Sequence, residues 1–182
     1  MATNFGPIQA PEASEYAPYY GQYISMVSGN DVLRALEEQR PATAALFERL
    51  SDQQADYRYA PEKWSVKEVL GHIIDTERIM SYRALRIARH DKKPLAGFEQ
   101  DDYVRAAQFG QRKLAGLVEE FTAVRHATLL LFQNLGPEAW MRLGIANEKE
   151  VSVRALAYII AGHELHHRKI LQEKYLMRAA RA

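Results

Sequence analysis

The chain has 182 residues, 24 basic against 23 acidic side chains for a formal net charge of +1, and 47% hydrophobic residues, which is one domain's length with enough apolar material for a substantial core. It contains no cysteine, so a disulfide framework, a thiolate metal site, an iron–sulfur cluster and a cysteine nucleophile are all excluded, and any chemistry must use His, Asp, Glu or hydroxyls. The balanced charge argues against a general nucleic-acid partner. The N-terminal residues lack the blocks of a signal peptide and no apolar run reaches about eighteen residues, so a cytoplasmic protein without a membrane partner is expected.

Residues 1–30, with Pro7, Pro11 and Pro18 among Tyr16, Tyr19, Tyr20 and Tyr23, read as an irregular arm that lays its rings on the body of the domain. The first helical pattern runs from Val32 to Leu50 with Leu33, Leu36, Ala44, Phe47 and Leu50 on one face and Asn30 or Asp31 as N-cap. Pro41 inside it predicts a kink, or a helix beginning there. The second starts at the capping box Ser65–Glu68 and carries Val66, Val69, Ile73, Thr76, Met80, Ala84 and Ile87 on one stripe to about His90.

Residues 91–107 break the period with Pro94 and Gly97, which suggests a crossover along a bundle or a cover over a site. The third helix places Leu114, Leu117, Val118, Phe121, Val124, Thr128, Leu131, Phe132 and Leu135 on one face and is expected to stop at Gly136-Pro137, read as a C-terminal glycine and a helix breaker. After a turn-rich stretch, the fourth starts at Ser152, with Val151 and Leu156 as a hydrophobic staple, and runs to about Met177. Four amphipathic helices without an alternating strand pattern define an all-α, four-helix bundle with a long second connection. Residues 31–178 form that bundle and residues 179–182 a frayed tail.

The fourth helix holds the chemistry. Its stripe reads Leu156, Ile160, His163, His167, Ile170, Leu171, so two imidazoles stand at core positions, about 40° apart and one turn along the axis. His72 lies beside the inward stripe of the second helix. A buried imidazole loses hydration at both nitrogens, roughly 1–3 kcal/mol for each unpaired polar group. A shared divalent metal compensates three rings at once; separate hydrogen bonds in the core, or a solvent-facing pair, are the plainer alternatives. The run from His163 to His167 also matches the zinc-protease pattern H-E-x-x-H. Ile170 and Glu173 occupy the places where the extended form of that pattern needs Gly and His, and the short remaining chain offers no separate helix for a third ligand.

Two segments, KWSVKEVLGHIIDTER (63–78) and AGHELHHRKIL (161–171), resemble the DinB/YfiT-like proteins, small four-helix metalloproteins unrelated in function to the similarly named DNA polymerase. The resemblance spans about Tyr16 to Leu176. It implies His72, His163 and His167 as ligands of nickel or zinc, with positions left for water or substrate. That arrangement is typical of a catalytic site, where the metal makes a bound water or thiol nucleophilic. The family likeness implies a metal-dependent transferase using a low-molecular-weight thiol cosubstrate, or a hydrolase, acting on a small molecule, and homodimers are plausible by the same likeness.

Glu164 is the candidate catalytic carboxylate, placed to orient a ring or accept a proton, with a solvated or interhelical charge as the plainer reading. Asp75 and Glu77 lie near His72 and are read in the same way. His166 is an alternative to His167; His90 and His126 read as surface residues. The basic run Arg78, Arg83, Arg86, Arg89, Lys92 and Lys93 is either a carboxylate-holding patch or the positive charge a helix C-terminus favours. Trp64 and Trp140 read as packing anchors. A protein that holds metal or a small ligand without turnover, and a metal-free helical interaction module, are the competing classes.

Overall fold

A computed structural model describes residues 6–29 and 31–176. The helices are α1 (Gly21–Ile24), α2 (Val32–Glu48), α3 (Asp52–Ala55), α4 (Val66–Ala88), α5 (Gln100–Ala107), α6 (Leu114–Gln133), α7 (Pro137–Trp140) and α8 (Val153–Ile170), the last continuing as a π-helical turn, Leu171–Leu176. Between α7 and α8 lies an antiparallel hairpin of β1 (Leu143–Ala146) and β2 (Lys149–Ser152). The expected tail at 179–182, the helix end at Met177, the first five residues of the arm and the Asn30 cap lie outside the described residues.

The helix starts follow the local chemistry of the sequence. Ser65 accepts from the Glu68 amide while Glu68 accepts from the Ser65 amide, and Ser152 accepts from the Ala155 amide, satisfying donors that a first turn leaves open. Asp31 caps α2 by accepting from the Arg34 amide. Pro41 lies within α2, which runs as one α-helix through it; packing of α2 on α6 and α8 outweighs the missing amide. Gly136 adopts φ −71° and is the N-cap of α7, with Pro137 at its first position. The Gly-Pro pair therefore opens a helix, because proline's missing N–H is harmless in a first turn.

The four-helix bundle is as expected, and the turn-rich stretch before its last helix holds this short hairpin. Its two-residue loop, Asn147-Glu148, has both residues at positive φ, 50° and 62°, the geometry of a primed hairpin turn usually signalled by Asn-Gly. Glutamate in the second place hid it. The hairpin tip is tied to the long connection, since Leu95 donates to Ile145 and accepts from the Asn147 amide.

Around the bundle, α2 packs on α6 and α8, and α4 packs on α6 and α8, so α2 and α4 face each other across one diagonal and α6 and α8 across the other. The apolar core falls into two clusters. One holds Leu36, Met80, Phe132 and Leu156; the other holds Phe47, Leu70, Phe121 and Leu171. Each of the four long helices contributes to both clusters and puts polar residues between them: Thr43 on α2, His72, Thr76 and Glu77 on α4, Arg125 on α6, and His163 and Glu164 on α8, all buried. On α6 this layer shifts the expected face, for Arg125 and Leu129 are buried while Val124 and Leu131 are only partly so. No helix among the described residues is long and apolar enough to cross a membrane.

Candidate metal centre

The caps fix where α4 and α8 begin, and packing of their apolar stripes in the bundle turns His72, His163 and His167 inward. The three Nε2 atoms converge: His72 to His163 is 3.0 Å and His167 to His163 is 3.1 Å. Four ligands held tetrahedrally at about 2.0–2.1 Å would stand roughly 3.3 Å apart, so the donor set has the spacing and chemistry of a divalent-metal site. Burial lowers all three rings, His72 to about 4 and His167 to about 3, with neighbouring imidazoles adding to the effect, and His163 falls well below its ordinary value. Near neutral pH the rings are uncharged, and three neutral imidazoles keep lone pairs for a cation.

The rings are held from outside. Trp64 packs on His72 with centroids 4.8 Å apart, and Tyr23 meets His163 edge-on at 5.4 Å. The arm thus reaches the centre, with Tyr23 and Ile24 buried and the Tyr158 hydroxyl donating to the Ile8 carbonyl. Gly162 makes that approach possible. A Cβ there would stand 2.0 Å from the Tyr23 carbonyl oxygen, so α1 lies against α8 where only glycine leaves room. A glycine in the middle of a strong helix was the sequence signal for this contact.

Glu164, the candidate catalytic carboxylate, is buried away from solvent, with one oxygen accepting from the Thr43 hydroxyl and the other from Arg125 at 2.5 Å. Arg125, fully buried, also makes a bidentate pair with Glu77, at 2.8 Å for each bond, and donates to the Leu36 carbonyl at 3.3 Å. The two carboxylates keep its charge in place against the cost of burial. Arg125 escaped sequence reasoning, although its position one turn beyond Phe121 marks it as inward.

Asp75 is half-buried, within 3.9 Å of Arg78, and Glu77 belongs to the Arg125 cluster. His166 stands apart from the three converging nitrogens and packs on Tyr23. His126 is exposed beside Arg40, and His90 is an exposed residue at φ 63°. Most of the basic run is surface charge: Arg78 pairs with Glu120 and Arg86 with Asp91. Arg83 is the exception, being 3% exposed. Trp140 stacks on Phe132 as a packing anchor.

A cavity of about 210 Å³ opens beside the centre, reached by His72, His163, Tyr23, Thr76, Arg83 and Phe98 among its walls. The long connection supplies the side formed by Gly97, Phe98, Glu99 and Gln100, the cover that its broken periodicity suggested.

An all-helical bundle with a three-histidine cluster at mid-height and a cavity beside it defines a class of candidate metalloproteins. The sequence profile of the DinB superfamily matches residues 35–171, and the chain belongs to that superfamily. The fold is shared with YfiT from Bacillus subtilis, a solved structure described as a probable metal-dependent hydrolase with an unusual four-helix bundle topology. The two are 16% identical, with a TM-score of 0.72 over 96% of this chain and 95% of that one. Comparison with curated proteins finds no match.

Proposed function

We propose that the protein holds a divalent cation, zinc or nickel, on the Nε2 atoms of His72, His163 and His167 and acts on a small molecule as a hydrolase or as a transferase taking a low-molecular-weight thiol. The observation that carries this reading is the convergence of three uncharged imidazole nitrogens from two helices beside a cavity. The description of YfiT as a probable metal-dependent hydrolase supports it. Imidazole donors suit both zinc and nickel.

When bound, the ion would supply a Lewis acid that makes a water or thiol nucleophilic near neutral pH. The chain's residues do the rest. Trp64 and Tyr23 orient the rings, and Phe98 with the long connection shields the cavity from bulk water. Glu164 acts as a positioning residue, since its oxygens are engaged by Thr43 and Arg125 and anchor α8 next to His163. A purely structural site would close on a fourth protein ligand, and no further His, Asp or Glu joins the three rings among the described residues, which favours turnover over storage.

Elemental analysis of purified protein beside a His163→Ala/His167→Ala double variant tests the proposal. The wild type is expected to carry about one zinc or nickel ion per chain and the folded double variant none. Equal metal content in the two samples would overturn the reading.

A further inference from the structure

One face of α4 runs from the histidine cluster into the cavity as His72, Thr76, Met80 and Arg83, each a turn beyond the last, and all four residues line that cavity. Two of them are incompletely satisfied. The Thr76 side chain is 4% exposed and its Oγ1 has no hydrogen-bond partner among the described residues. Arg83 is 3% exposed, yet no carboxylate of the described residues lies within ion-pair distance of it. Its guanidinium is clamped all the same: Nη2 donates to the Ala96 carbonyl at 2.7 Å, Nη1 reaches back to the Met80 sulfur at 3.6 Å, and the Phe98 ring centroid lies 5.9 Å away.

A buried guanidinium without a counter-ion is costly, because its charge has left water and found no partner. The one other buried arginine among the described residues, Arg125, has Glu77 and Glu164. We propose that Arg83 and the Thr76 hydroxyl form the receptor for a carboxylate on the substrate, with the Asn147 side chain on the same wall. The substrate is then a small monocarboxylate with an apolar waist against Met80, Ile159 and Phe98. Its other end is directed to the histidines, and this orientation alone rests on the metal-centre reading.

A carboxylate suits the site better than a phosphate. One guanidinium balances one negative charge, whereas a phosphate monoester brings about −1.5 to −2, and the acidic residue Glu99 also lines the cavity. Geometry sets the reach. The Cα atoms of His72 and Arg83 are about 16 Å apart along the helix, and the backward lean of Arg83 toward Met80 shortens the gap, leaving room for a short chain.

Calorimetric titration with hexanoate, hexanamide and pentylphosphonate tests the proposal on metal-free protein and again after zinc loading. Hexanoate should bind the metal-free wild type about tenfold more tightly than hexanamide, as expected for a charge-assisted bidentate contact. Arg83→Met should abolish that preference, and Thr76→Val, which removes only the hydroxyl, should weaken hexanoate about threefold. If Arg83→Met does not fold, the wild-type preference and the Thr76→Val loss decide alone. Equal binding of acid and amide, tighter binding of the phosphonate, or hexanoate binding that requires zinc and survives Arg83→Met would each overturn the proposal. A hexanoate preference in protein that takes up no zinc would sustain the anion site and end the metal-centre reading, so the two fail separately.

Discussion

Adjacent residues of α8, His163 and Glu164, belong to two buried polar clusters that are built differently. Glu164, Arg125, Glu77 and Thr43 tie all four long helices together in a network whose carboxylate oxygens and guanidinium meet one another directly. His163, His72 and His167 come from two helices and aim like atoms, three Nε2 nitrogens, at one another beside a cavity. The first cluster is closed and self-sufficient. The second gathers three donor atoms of one kind beside a cavity, the arrangement a ligand site would have. A buried polar group must be compensated, and the way it is compensated separates a cluster that serves the fold from one poised for a ligand.

Breaking the closed cluster should have the largest effect. Arg125→Ala leaves Glu77 and Glu164 buried without their cation, and urea unfolding should show a loss of about 3–5 kcal/mol. An unchanged denaturation midpoint would mean that the network is not what joins the helices. The matching change in the open cluster should be mild. In metal-free protein His167→Leu removes one uncharged ring and leaves His163 its contact with His72, so stability at neutral pH should stay within about 1 kcal/mol while metal uptake is lost. A large destabilisation without metal would show that the rings are structural.

The smallest effect belongs to a more exposed version of the closed design, the pair between Glu15 of the arm and Arg154 of α8. Burial raises the Glu15 carboxyl, but hydrogen bonds from Arg154 and Ser152 and from the Glu12 amide outweigh it and hold the group at about 2, against an ordinary 4.5. A lowered carboxyl stabilises the fold above its unfolded value, and that contribution fades as pH falls from about 4.5 toward 2. Glu15→Gln should therefore melt earlier than wild type at neutral pH, with the gap closing over this window and shrinking in high salt. A gap that persists at the acid end would assign the difference to packing.

Much of the fold was legible because its signals are local. The Ser65–Glu68 box, the Ser152 cap and the three-to-four spacing of apolar residues act within a few residues of chain, and they correctly give the long helices. The same spacing placed His163 and His167 on one face. The hairpin stayed hidden because Asn147-Glu148 lacks the glycine that usually marks its turn, and Gly136-Pro137 was open to two meanings, the end of one helix or the start of another, that only neighbouring packing separates.

By itself the sequence determined the four long helices, the inward faces of most of them and the inward placing of His72, His163 and His167, since helical periodicity is a property of each segment alone. The tertiary structure decided which charges are buried and with whom. It placed Arg125 between Glu77 and Glu164, drew Glu164 into that network, took Arg83 out of a surface-charge run, and let Tyr23 lie against α8 at Gly162. The physical reason is that the free energy of a buried charge, or of a close backbone contact, depends on groups brought from far along the chain, and no local pattern records their arrival.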